Sequence, residues 1–216
     1  MTSARKDGAT ATKLGRPASI TRDDVVGAAL ALARQVGLDR FTMGQLADEL
    51  GVAPMTAYHH VANRNELVRL VVEELLLRVE IPGPEAGAWD VRLKTLEANV
   101  RRELGGIPGI RTGISPEGSE ASARLAEGVL GILADAGFDE ASALLAYGAM
   151  FTYMVGQLDL DVIADRSDDS PDALRFAELT DRTASGRRPT PDQFFDFGFD
   201  LLLIGLRDVL HRRAST

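Results

Sequence analysis

Hydrophobic residues recur along this chain at the three- and four-residue spacing of amphipathic α-helices. The spacing is clearest over residues 26–36, 67–79, 89–104 and 125–136. The alternation of apolar and polar residues that is typical of β-strands is missing throughout. The pattern predicts an all-α fold of roughly nine or ten helices, with one irregular polar stretch from Asp165 to Pro189.

Side chains suited to capping precede several of these helical stretches. Thr21, Thr42, Asn63 and Thr190 are each followed three residues later by Asp, Glu or Gln. Such pairs satisfy backbone N–H groups that lack partners at the start of a helix. They predict four helix N-termini, the last with Pro191 in the first helical position.

The segment GVAPMTAYHHVANRNEL, residues 51–67, predicts a helix-turn-helix. A helix of about two turns, Thr42 to Leu50, ends at Gly51, and a second short helix begins at Pro54. Ala57 and Val61 are four residues apart and are predicted to pack inward. The second helix then exposes Pro54, Met55, Thr56, Tyr58, His59 and His60.

A double-stranded DNA groove suits this exposed surface better than a metal or a catalytic site. Adjacent residues such as His59 and His60 point about 100° apart on a helix, which does not match zinc-type spacing. A convex helix also lacks the concave site that acid–base catalysis needs. Thr, Tyr and His can instead donate to phosphates, while Met55 and Pro54 can contact thymine methyl groups. An aromatic pair on a minor surface patch is the remaining alternative.

Charge and composition limit the class of protein. The net charge is −8, but residues 1–80 carry as many basic as acidic side chains. Residues 1–18 are predicted to form a flexible basic arm, for which a solubilising disordered tail is the simplest explanation. Without cysteine there are no disulfides or thiolate metal sites. With no secretory signal and no apolar run of about 18 residues, we expect a soluble cytoplasmic protein.

Two stretches, from Ala141 to Leu158 and from Phe194 to Leu210, are apolar around most of the helix circumference. A helix of this kind must be covered on every side. Either both helices lie inside the monomer core, or a second copy covers them. We favour a homodimer through helices 141–158 and 192–210, packed as an intermolecular four-helix bundle in which Gly148, Gly198 and Gly205 allow close approach.

The stretch Ile20–Leu67, with its run T-x-Y-x-H-V-x-N-x-x-x-L, resembles the DNA-binding domain of the tetracycline-repressor (TetR) family. WDVRLKTLEANVRRELGGIPGI and FDFGFDLLLIGL are similar, more loosely, to its C-terminal domain. The resemblance implies a homodimer that binds a palindromic operator and releases it when a small-molecule inducer binds. It also implies a flexible arm at 1–18, a DNA-binding domain at 19–66 and a ligand-binding and dimerisation domain at 67–216.

The same resemblance assigns roles to individual residues. Arg64 matches a phosphate-contacting lysine of the family. Gly44 and Ala53 depart from the family pattern, where an arginine that reads a base and a capping serine are frequent. The candidate DNA-binding residues are Thr42, Gln45, Pro54, Met55, Thr56, Tyr58, His59, His60 and Arg64.

An apolar inducer pocket is expected in the C-terminal domain, with no metal and no cofactor. Its candidate lining residues are Trp89, Tyr147, Met150, Phe151, Tyr153, Met154 and Gln157. A stripe of Met and aromatic residues at helical spacing is more often plain core, and the dimer interface competes for the same residues. The inducer is expected to be apolar or amphipathic. Two other functions remain open: an all-α ligand-binding or adaptor protein whose helix-turn-helix contacts proteins, and, with no supporting motif, an enzyme.

Overall fold

The computed structural model describes residues 20–114, 118–165 and 190–214, with only the backbone described for 159–165, 213 and 214. Over these ranges the chain is all-α, with no strand, as the sequence predicts. The α-helices are α1 Arg22–Val36, α2 Met43–Leu50, α3 Pro54–Tyr58, α4 Arg64–Arg78, α5 Trp89–Leu104, α6 Glu120–Asp135, α7 Glu140–Asp165 and α8 Pro191–Ala214. Two 3₁₀ helices, Pro84–Ala86 and Ile110–Gly113, lie on either side of α5. The predicted basic arm at 1–18 and most of the predicted irregular stretch lie outside the described residues.

The four predicted caps are present. Thr21 and Asp24 form a reciprocal capping box, in which the Thr21 N–H donates to the Asp24 carboxylate at 2.7 Å. Asn63 accepts from the backbone N–H of Glu66 at 2.9 Å. Glu66 does not return this bond: its carboxylate accepts from the N–H of Ala62 at 2.6 Å and pairs with Arg22 at 2.9 Å. Each cap stabilises its helix by about 1 kcal/mol, and the Glu66–Arg22 pair also joins α4 to α1.

Helices α1 to α3 form a small head on the N-terminal half of α4. Val25, Ala29, Leu46 and Leu67 are fully buried between these helices. Phe41, in the connection from α1 to α2, is buried beside them. The apolar faces that the sequence predicts for these helices therefore meet in one place.

Helix α4 joins the head to the larger helical body formed by α5 to α8. Its buried residues Val71, Leu75 and Val79 continue the head core into the core of the body. Gly113 packs so closely on α4 that a Cβ there would lie 3.0 Å from the carbonyl oxygen of Val68. The head and the body thus share one continuous hydrophobic cluster.

Helix α8 crosses α5 in the antiparallel direction. Three ion pairs follow the crossing in order, from Asp90–Arg207 through Lys94–Asp200 to Arg101–Asp192. The hydrogen bond from Arg207 is the main reason that the pKa of Asp90 lies below its usual range. Ion pairs at a protein surface contribute little stability singly, and the order of these three matches antiparallel α5 and α8.

The inner and outer faces of α7 and α8 account for their apolar circumference. Ala146 and Met150 on α7, and Phe199 on α8, are buried in the monomer core. The opposite faces are exposed: Leu145 on α7 retains 76% of its accessible surface and Phe197 on α8 retains 70%. The monomer therefore covers only half of each helix. In the part of the chain described here, no helix is both long and apolar enough to cross a membrane.

Candidate nucleic-acid interface and ligand cavity

The helix-turn-helix is built around a glycine. Helix α2 ends at Gly51, whose φ of 65° is a left-handed conformation that glycine adopts without steric cost. The Val52 N–H then donates to the carbonyl oxygen of Ala47 at 3.0 Å. Helix α3 follows with Pro54 in its first turn, and its N-cap residue, Ala53, makes no side-chain cap.

The predicted reading surface of α3 faces outward. Ala57 and Val61 are buried, at 0% and 2% exposure, and hold the segment against the head. Met55 retains 68% of its accessible surface and Tyr58 43%. Pro54 and His59 are also exposed, whereas Thr56 and His60 are half-buried. We call Pro54–His60 the reading surface below.

His60 is near enough to the N-terminus of α1 to act electrostatically on Asp24. The pKa of Asp24 is lowered, first by the backbone and side-chain hydrogen bonds from Thr21, and to a smaller extent by the charge of His60. The edge of the reading surface is thus close to the first turn of α1.

Thr42 and Gln45 lie at the start of α2 and cap it reciprocally. The Thr42 N–H donates to Oε1 of Gln45 at 2.8 Å, and the Gln45 N–H donates to Oγ1 of Thr42 at 3.2 Å. Both side chains are exposed. A contact with nucleic acid here would use the groups outside the cap, such as Nε2 of Gln45.

Arg64 is placed differently from the prediction. Its Nε donates to the carbonyl oxygen of Phe41 at 3.2 Å, and Nη2 donates to the carbonyl oxygen of Leu38. The guanidinium carbon also lies 5.1 Å from the centre of the Phe41 ring. The structure gives Arg64 an intramolecular role, fastening α4 to the α1–α2 connection, because these carbonyls come within reach only in the folded head.

The body contains an apolar cavity of about 70 Å³ between α4, α5, α6 and α7. Four of the predicted ligand-binding residues line it: Tyr147, Met150, Phe151 and Met154. Pockets for drug-sized ligands usually measure about 300–1,000 Å³. A bulky ligand would therefore require these side chains to move, which Met150 and Met154 can do readily because methionine is flexible.

Three other predicted ligand-binding residues do not line this cavity. Trp89 packs edge-on against Phe138, with ring centres 5.8 Å apart. The Tyr153 hydroxyl donates to the carbonyl oxygens of Phe194 and Phe195, at 3.0 and 2.9 Å. Gln157 lies farther along α7, and its Oε1 is buried without a hydrogen-bond partner among the described residues. Helical spacing alone does not tell which side of α7 faces α6 and which faces α8.

Glu97 lines the cavity and was not among the predicted residues. Its side chain is buried, and its Oε2 has no hydrogen-bond partner in the described part of the chain. Burial raises the pKa of its carboxyl to about 8. The sequence does carry a signal: Glu97 lies four residues after Leu93 and three before Val100, on the apolar face of α5.

Comparison with known proteins places this geometry in a family. Residues 25–71, which contain most of the head and half of α4, match the family described as bacterial regulatory proteins, tetR family. The head is therefore a DNA-binding domain of the TetR family of transcriptional regulators.

Curated relatives extend the similarity into the body. The HTH-type transcriptional repressor Rv1353c of Mycobacterium tuberculosis is 25% identical over 207 residues, covering 86% of this chain and 79% of the relative. The class E tetracycline repressor protein of Escherichia coli is 26% identical over 205 residues, covering 92% of this chain and 96% of the relative.

Solved structures agree. A possible TetR family transcriptional regulator from Streptomyces coelicolor A3(2) superposes with a TM-score of 0.76 at 25% identity, over 87% of this chain and 99% of that one. ActR from the same species, in complex with (S)-DNPA, gives 0.69 at 27% identity, over 88% and 98%. BioQ with its double-stranded DNA operator shares the fold, with a TM-score of 0.63 at 22% identity over 87% and 98%.

Proposed function

We propose that this protein is a dimeric repressor that binds a palindromic operator and leaves it when a small molecule occupies the α4–α7 cavity. The outward reading surface, held by buried Ala57 and Val61, is the observation that carries the proposal. A relative named as a repressor and an ActR structure with a small molecule bound support the mode of regulation.

The reading surface enters the major groove. Pro54, Met55 and the methyl group of Thr56 contact thymine methyl groups, while Tyr58 and the histidines donate to phosphates. Thr42 and Gln45, at the exposed start of α2, lie at the edge of the same contact. Arg64 is left out of this interface because its guanidinium already donates to two backbone carbonyls.

A second copy covers the outer faces of α7 and α8. The exposed apolar residues there are Leu144, Leu145, Phe151, Phe194, Phe197, Leu201, Ile204 and Val209. A Cβ added at Gly148 or Gly205 would meet nothing within 4 Å in the monomer, so a partner helix can approach closely there. Two helices from each copy then form a four-helix bundle around a twofold axis.

DNA binding and ligand binding are assigned to successive segments of the chain. Residues 19–66 bind DNA, residues 67–216 bind ligand and dimerise, and the basic arm at 1–18 adds attraction to the DNA backbone. In the dimer the two reading surfaces lie about 34–36 Å apart, one turn of B-DNA.

Helix α4 carries the signal between the two sites. Leu76, near its C-terminus, lines the cavity, and Arg64, at its N-terminus, holds the head. The twelve helical steps from Arg64 to Leu76 span about 18 Å. A ligand that binds preferentially when α4 is displaced changes the separation of the reading surfaces, and a coupling of about 1–3 kcal/mol lowers operator affinity some 5–150-fold.

Fluorescence anisotropy on the full chain tests the proposal. A labelled duplex from upstream of its own gene is compared with a scrambled duplex, at low and at physiological salt. We expect Tyr58→Ala to weaken binding to the native duplex about tenfold, equivalent to about 1.4 kcal/mol. Met55→Ala should reduce the preference for the native duplex while leaving binding to the scrambled one almost unchanged.

Leu77→Ala is the matched control, because Leu77 is exposed on α4, away from the reading surface. It should bind both duplexes like the wild type. Equal affinity of the wild type for native and scrambled duplexes at both salt concentrations would contradict the proposal, as would a Tyr58→Ala variant that binds normally.

A further inference from the structure

The described lining of the cavity contains one carboxyl group. Glu97 is surrounded by apolar side chains from four helices, including Leu76 of α4, Leu96 of α5, Val129 of α6 and Met150 of α7. Ser122 and Tyr147 are the only other polar residues that the structure places in this lining. Oε2 of a carboxyl group in such surroundings has lost its hydration, and no hydrogen bond from the described residues replaces it.

Two arginines, on α5 and α6, contact groups other than Glu97. Arg101, one turn beyond Glu97, pairs with Asp192 at 2.9 Å and stacks 4.3 Å from the centre of the Phe195 ring. Arg124 of α6 donates to the carbonyl oxygen of Val79 at 2.8 Å. The pKa of Glu97 shows the same thing, since burial is the one cause of its rise and no positive charge opposes it.

Burying a carboxyl oxygen without a hydrogen-bond partner costs free energy, and a bound ligand that donates a hydrogen bond removes this cost. Oε2 of Glu97 is buried, lacks a partner among the described residues and borders the cavity. The missing partner is therefore a hydrogen-bond donor, and the strongest donor to a carboxylate is a cationic nitrogen.

We propose that Glu97 is the polar recognition group of the inducer site and that it selects ligands with an apolar body and a protonated nitrogen. This deepens the function proposed above and rests on the cavity being the inducer site. The apolar lining holds the body of the ligand, and the ammonium group binds Oε2 of Glu97. Binding next to Leu76 places the ligand against α4.

Binding of such a cation moves a proton. At pH 7 the empty cavity holds Glu97 as a neutral acid, because its pKa is about 8. When an ammonium group binds, the carboxyl releases its proton to solvent and the two groups form an ion pair, so up to one proton is released per ligand. Tyr147, the other titratable residue of the lining, keeps its proton, because burial and the charge of Glu97 both raise its pKa.

Probes of matched shape test the proposal on the full chain without DNA. Linear primary amines of three to eight carbons are compared with the alcohols and carboxylates of equal length by titration calorimetry. We expect each amine to bind wild type at least about tenfold more tightly than its alcohol. Comparison of the binding heats in phosphate and Tris buffers should reveal the proton release. Glu97→Gln should remove both the preference and the proton release, and Glu97→Asp should retain part of the preference.

Glu103→Gln is the matched control, a carboxyl on the same helix that pairs with Arg102 outside the cavity. It should behave as the wild type does. Circular dichroism of each variant establishes that it is folded before its affinities are compared.

Three results would overturn the proposal: equal binding of amine and alcohol by the wild type, an amine preference that survives in Glu97→Gln, or no binding by any probe. A preference for carboxylates would also overturn it, and would mean that the neutral Glu97 donates to the ligand. Operator binding, measured on the same samples, separates the two proposals. Intact specific DNA binding without amine preference defeats only this inference, whereas amine preference without specific DNA binding defeats only the repressor function.

Discussion

The backbone N–H of Leu38, in the head, donates to the carbonyl oxygen of Pro108, in the body, at 2.7 Å. This bond is a second connection between the two parts, independent of α4. Glycines make it possible: a Cβ on Gly109, whose φ is 77°, would lie 2.8 Å from the backbone nitrogen of Asp39. A change in the body at residues 107–114 can therefore reach the head without passing along α4.

Replacing Gly109 with alanine should disturb this joint. The positive φ alone costs about 1–2 kcal/mol for a residue with a Cβ, and the contact with the Asp39 backbone should add about 1–3 kcal/mol. Urea unfolding of the full chain measures the loss. Because the head must shift relative to the body, we also expect the native operator duplex to bind more weakly.

Gly106→Ala is the control for Gly109→Ala. Gly106 has a similar φ of 72°, but a Cβ there meets nothing within 4 Å. It should lose only the conformational part of the stability and keep its operator affinity. Equal losses in the two variants would show that the joint has no energetic importance.

Arg64→Ala should destabilise the head. Its removal deprives the carbonyl groups of Leu38 and Phe41 of their donors and leaves the Phe41 ring without its cation. We expect a loss of about 1–3 kcal/mol in the free energy of unfolding. Arg69→Ala, an exposed arginine on the same helix, should change it by less than about 0.5 kcal/mol. A normal stability of Arg64→Ala combined with a large loss of DNA affinity would instead favour the phosphate contact predicted from the sequence.

Because of Glu97, the free energy of unfolding of the protein should decrease as the pH rises. Its carboxyl has an ordinary pKa of 4.5, whereas the folded protein holds it at about 8. Between these values the unfolded chain has lost the proton and the folded chain has kept it. The contribution of Glu97 to the free energy of unfolding therefore falls with rising pH, by about 1.4 kcal/mol per unit.

Urea unfolding of the wild type and of Glu97→Gln at pH 5, 6, 7 and 8 isolates this contribution, since other groups titrate alike in both proteins. The difference between the two proteins should change steadily in favour of Glu97→Gln as the pH rises. Parallel stability profiles would mean that the Glu97 carboxyl is solvated in the folded state.

Phe197→Glu should separate the proposed dimer. Phe197 is 70% exposed at the centre of the outer face of α8, where a buried carboxylate would face the same carboxylate or apolar side chains of the partner. Sedimentation velocity at micromolar concentration should give a dimer for the wild type and a monomer for the variant. Leu77→Glu, another exposed apolar position, should stay dimeric, and a monomeric wild type would contradict the predicted interface.

Local features of the sequence determined much of this structure. A cap depends on two residues three apart, and the inward direction of Ala57 follows from its position on α3. Val61 is also buried, although α3 ends at Tyr58. The exposed reading surface and the start of each capped helix follow from these short-range rules, because neighbouring residues on a helix have a fixed geometry. The apolar circumference of α7 and α8 likewise predicted two faces that need cover.

Only the tertiary structure decided which faces meet. Arg64 finds acceptors 23 and 26 residues away, at Phe41 and Leu38, and no local pattern contains those partners. In the sequence, Trp89 and Gln157 are as suitable for a ligand pocket as Met150, but of these three residues only Met150 lines the cavity. Glu97 is a candidate ligand-binding residue only in the folded chain, where three other helices enclose it. Its burial, and not its residue type, leaves Oε2 without a hydrogen-bond partner among the described residues.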